Sequence, residues 1–114
     1  MTPSVTVVIR DDPRKSARAA EALRIALGLS TGPNPLTVIL LNEAPLLLGE
    51  EIDDLASAEI LEKHLPVLKE LGISFVVPES TRTRYHLDSA FRVKEASFTD
   101  LALLIAQSDR LLAF

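Results

Sequence analysis

Three short runs of β-branched and aliphatic residues constrain this chain more than anything else in it. They read VTVVI at Val5–Ile9, LTVILL at Leu36–Leu41 and ISFVV at Ile73–Val77. Each is too short to be a typical helix and is apolar on both alternating faces, as strands are when helices cover a sheet on both sides. Between them lie stretches with apolar residues spaced three and four apart, the period of an amphipathic helix. Strand, helix, strand in regular alternation predicts a parallel sheet with right-handed crossovers. At 114 residues the chain fits one domain spanning 1–114.

Asp12 and Pro13 suit an N-cap and first helical residue, so a helix is expected from Pro13 to about Leu27, stopped by Gly28. Ala19, Ala20, Leu23, Ala26 and Leu27 make its inner stripe. After the second strand, Ala44 to Leu55 has no clear pattern beyond a short helical start at Pro45. The acidic run Glu50, Glu51, Asp53 and Asp54 reads as a solvated loop without calcium-loop spacing. Ser57 to Leu71 carries Leu61, Leu65, Leu68 and Leu71 on one face, expected to be buried, with His64 at its flank, and Pro66 is expected to kink or split it. A short strand is expected within Phe91–Ala96 and a helix from a cap at Ser97 or Thr99 to about Gln107. Leu111–Phe114 closes the pattern as a last strand. The fold class expected is therefore α/β, a three-layer α/β/α domain with a parallel sheet of about five strands.

Composition excludes several functions. The net charge is −4 with no basic run, which argues against nucleic acid, whose phosphates demand clustered cations. No apolar run approaches the roughly 18 residues of a membrane span, and the start of the chain lacks a signal-peptide pattern, so a cytoplasmic location is expected. There is no cysteine, which removes disulfides, thiolate metal sites and persulfide chemistry on the chain itself. Two histidines, His64 and His86, without metal-site spacing leave no metal or other cofactor expected. A mean hydropathy of +0.24 is high for so small a domain and leads to an expected homo-oligomer, or assembly with related small subunits.

Open parallel sheets bind ligands at the carboxyl ends of their strands. The loops there contribute Arg10 to Asp12, Asn42 with Glu43, Pro78 to Ser80, and Ser97 with Thr99. The third loop continues into Arg82, Thr83, Arg84, Tyr85 and His86. Two arginines and a histidine beside helix starts are suited to a carboxylate, phosphate or sulfur oxyanion, so a small anionic ligand is expected. The candidate binding residues are Arg10, Asn42, Glu79, Arg82, Arg84 and His86. No catalytic residue is assigned: nucleophile elbow, P-loop and dinucleotide fingerprint are all missing, so binding is expected ahead of catalysis. Two other readings stay open. Asp11 and Asp12 after the first strand suit a receiver-like phosphoacceptor module, although Glu79 stands where such a module needs an aspartate. A thiol-independent enzyme using His86 as acid or base is the other.

Taken in order, the opening VTVVIR, the helix ending near Gly28, LTVILLNEAPLLL, KELGISFVVP and the closing SDRLLAF resemble the DsrE/DsrF-like family. That family includes the small subunits of the TusBCD sulfur-relay complex. The resemblance implies a DsrE-like parallel sheet, assembly into dimers, trimers or hexamers, and a part in intracellular sulfur relay. It also implies a persulfide-carrying cysteine just after the third strand. Here that position reads Val77-Pro78-Glu79-Ser80, and neither Glu79 nor Ser80 replaces a thiolate. The resemblance therefore implies a cysteine-free binding or assembly module, with no thiol-based transfer of its own.

Overall fold

The computed structural model describes residues 3–50, 52 and 55–114. Of the acidic run, Glu51, Asp53 and Asp54 lie outside the described residues, and Glu50 is exposed. Five strands form one sheet in the order β4-β3-β2-β1-β5. They are β1 (Val5–Ile9), β2 (Leu36–Leu40), β3 (Ser74–Pro78), β4 (Arg92–Ala96) and β5 (Arg110–Ala113). All four pairings are parallel. Helices α1 (Arg18–Ser30) and α2 (Ala58–Leu71), the short α3 (Thr81–Arg84) and α4 (Phe98–Gln107) make the connections. A 3-10 helix at Ala44–Leu48 follows β2.

The register sorts the strand residues into two faces. Val7, Val38, Phe75 and Val93 are aligned across four strands. They pack with α1, the 3-10 helix and α2 through Leu23, Ala26, Leu47, Leu48, Leu61 and Leu68 in the main core. Phe75 meets Phe91 edge to face, with ring centroids 5.7 Å apart. The Lys69 ammonium lies 4.9 Å from the Phe91 ring centre and 2.5 Å from a carboxylate oxygen of Asp88. The opposite face carries Val8, Ile39, Val76 and Ala96, which pack on Leu101 of α4 with Leu104 and Ile105 beside it. Among the described residues, α4 is the helix that covers this face.

Leu71, expected on the buried face of α2, is 52% exposed at the end of that helix, and three further local expectations change. The first helix begins at Arg18, five residues after Pro13. The Asp12 carboxylate accepts the Arg14 backbone N–H at 2.9 Å and so closes a turn instead of capping a helix. Gly28 does not stop that helix, which runs on to Ser30. The Ser30 and Thr31 hydroxyls donate to the carbonyls of Leu27 and Gly28 and so occupy the C-terminal acceptors. Pro66 neither splits nor ends α2. It sits on the exposed side, where the carbonyl one turn back, deprived of its N–H partner, can turn to water. Gly72 does end α2, in the left-handed region at φ 64°, with the Ile73 N–H reaching back to the Leu68 carbonyl.

Among the described residues, no helix is long and apolar enough to cross a membrane.

Candidate functional site

The parallel sheet gathers its carboxyl-edge loops as the sequence leads one to expect. Leu41 follows β2, and the chain then turns sharply at Asn42, a residue at φ 56°. After β3 the same thing happens at Ser80, at φ 71°. Both are non-glycine residues in the left-handed region, which asparagine tolerates better than serine. These two bends turn the backbone out of the sheet and open a crevice of about 510 Å³ between them. Ser97 provides the third side. Its hydroxyl accepts the Asp100 N–H at 3.1 Å and starts α4, which leaves Phe98 80% exposed at the rim. Asn42, Glu79, Ser80, Arg84, Tyr85, Ser97 and Phe98 all line the crevice.

Glu43 ties the loops together. One of its carboxylate oxygens accepts the Tyr85 hydroxyl at 2.7 Å, and the other accepts Arg84 at 3.1 Å. Arg14 approaches it at 3.7 Å while forking onto Asp12 at 2.8 Å. Thus the loops after β1, β2 and β3 meet on one carboxylate. The side-chain and backbone hydrogen bonds from Arg14 hold Asp12 at about 2, below the usual 3.8. Partial burial, and then its hydrogen bond to the Glu43 carboxylate, push the Tyr85 phenol above its ordinary value. The segment after α3 is anchored as well. Glu50 donates its N–H to the His86 carbonyl and Asp88 donates to the Leu48 carbonyl, so the polar loop is strapped to the one after β2.

The six candidate residues are not all together. Asn42, Glu79 and Arg84 line the crevice. Arg82 turns the other way: its guanidinium donates to the Val93 carbonyl and its N–H to a Glu95 carboxylate oxygen, which fastens α3 to β4. His86 is exposed in a neighbouring hollow of about 450 Å³ with Leu46, Gly49 and Glu50, while Arg84 and Tyr85 border both hollows. Arg10 is exposed after β1, where its N–H donates to the Phe114 carbonyl, and it is not among the residues lining the crevice. Beyond the six, Glu43, which like Ser97 the sequence already places at a strand end, becomes the hub of the site, and Ser97 and Phe98 form its third side. A phenylalanine directly after a serine cap is the sequence signal for the last two. The Glu43 contacts span about forty residues, and nothing local announces them.

Chemically the crevice offers an arginine with unused donors, hydroxyls, an exposed aromatic ring and one carboxylate, Glu79. It offers no thiol, since the chain has no cysteine. Among the described residues no cluster of three metal-ligating side chains occurs.

No family model matches the chain, and no curated protein matches it by sequence. Its structure matches the crystal structure of the ychN protein from E. coli with a TM-score of 0.77, at 19% identity and over 100% of both chains. At that identity the match concerns the fold. The expected α/β domain, three layers around a parallel sheet of five strands, is borne out.

Proposed function

We propose that this chain is a DsrE-like binding and assembly module of intracellular sulfur relay, which holds a small anion or an anionic group of a partner in the crevice and performs no thiol transfer itself. The observation that carries the reading is the crevice after β3, which stands where the family resemblance implies a cysteine and presents Glu79 and Ser80 instead. Recognition falls chiefly to Arg84. Its guanidinium uses one nitrogen on Glu43 and leaves other donors open, with two-thirds of the side chain exposed. The Ser80 and Ser97 hydroxyls and the start of α4 favour an anion beside it. Glu79 opposes one. Copies of the chain, or related small subunits, assemble around this unit.

Thiosulfate is a suitable probe. Titrated into ¹⁵N-labelled protein, it should move the amide resonances of Ser80, Thr81, Arg84 and Phe98 together, and Arg84→Ala should abolish the shifts without unfolding. Glu79→Gln should tighten binding by removing a like charge. Shifts that are absent, or that cluster away from these residues, would overturn the anion reading. Incubation with a persulfide donor should leave the mass of the chain unchanged, and a covalent sulfur adduct would contradict the absence of transfer chemistry.

A further inference from the structure

Helix α4 is apolar round most of its circumference, with Phe98, Leu101, Ala102, Leu103, Leu104, Ile105 and Ala106 among its ten residues. Only Leu101 is buried, while Leu103 leaves 50% of its surface in solvent. A helix apolar on all sides ordinarily belongs in an interior. Beside it a groove opens over β3 and β4. Val76 and Ala96 floor this groove of about 390 Å³, whose helix wall is Asp100, Leu103 and Leu104 and whose strand wall is Lys94. The spacing of 100, 103 and 104 places the wall residues on one face of α4.

We infer that a second copy of this chain docks in this groove, α4 against α4 about a two-fold axis, with Leu103 of each copy seated over the other's Val76–Ala96 strip. The charges select a second copy over another partner. One wall carries an acid, Asp100, and the other a base, Lys94, and among the described residues neither makes an ion pair. A two-fold contact joins a patch to itself, so the patch must hold both halves of every complementary pair. This one does: antiparallel helices bring Asp100 of each copy to Lys94 of the other, twice. The docking deepens the assembly part of the reading above and is independent of the crevice.

Sedimentation equilibrium tests it. The wild-type chain should associate, and Leu103→Asp should weaken that association by about tenfold or more, as loss of a central interface anchor does. Its circular dichroism should be unchanged, because Leu103 is half exposed in the single copy. Lys94→Asp and Asp100→Lys should each weaken self-association. Mixing the two variants should restore it as a heterodimer, since both cross pairs then join opposite charges. If the wild type associates but is indifferent to Leu103→Asp and the mixed variants gain nothing, the contact lies elsewhere and only the docking is overturned. A wild type that stays monomeric to high concentration overturns both the docking and the assembly reading. Should Leu103→Asp prove unfolded, the mixing experiment decides alone.

Discussion

Tyr85 is the chain's one tyrosine, and there is no tryptophan. Its ionisation can therefore be followed by ultraviolet absorbance without interference. Burial and the hydrogen bond to Glu43 favour the neutral phenol, so the folded chain should titrate above 10.0. The sign of the linkage follows: this contribution to stability is present below the unfolded value and is lost as pH rises through the folded one. Glu43→Gln should bring the midpoint down, because it removes the negative charge that the phenolate would face. A midpoint unmoved by that substitution would mean that Glu43 does not hold Tyr85 in solution. At the acid end the sense reverses. Asp12 is held at about 2 against the usual 3.8, so its contribution is present above the unfolded value and is lost as pH falls through the folded one. Asp12→Asn should flatten the stability profile between those two values in denaturant unfolding at stepped pH.

Each element rests on signals of unequal range, and that range decides how much of it was legible. The strands were readable because apolar residues crowd both faces of β1, β2 and β3. The C-terminus of α2 was readable because glycine is the residue that adopts φ 64° without strain. Gly72→Ala should therefore destabilise the fold by about 1 kcal/mol in urea unfolding. No atom crowds the added methyl, so the cost is conformational alone. An unchanged midpoint would show that the backbone reshapes there. The start of α1 was misread because Asp12-Pro13 is an equally good opening for a turn, and burial of Pro13 together with its carbonyl's bond to the Ala56 N–H decides for the turn. Gly28 misled for the opposite reason, since a glycine on a helix is tolerated where the next residues can cap. The same limit applied to the site. Asn42, Glu79 and Arg84 follow strands and fall where strand ends must fall, whereas the direction of Arg82 depends on Val93 and Glu95, which lie in another strand.

The molecule has two unequal sides, and this has a consequence for its motions. Among the described residues, twenty buried side chains form the core between the sheet and α1 with α2, and five form the core under α4. The sheet face under α4 also carries Thr6, Thr37, Ser74 and Arg92 in one aligned row, so its amino half has little apolar surface to offer a helix. β5, which completes the α4 connection, is exposed along its length. Local openings draw on regions with few buried contacts. The amides of α4 and β5 should thus exchange with solvent by local opening, well before those of β1, β2 and α1, which should wait for global unfolding. Leu101→Ala removes the one buried anchor of α4 and should accelerate exchange throughout α4 while slowing nothing elsewhere. Concentration then separates the contribution of self-association from that of the fold. If a second copy covers α4, protection of Leu103 and its neighbours should rise with protein concentration while that of β2 stays constant. Exchange of α4 at the global rate in dilute protein would show that five buried side chains suffice to hold it, and the asymmetry between the two faces would have no dynamic expression.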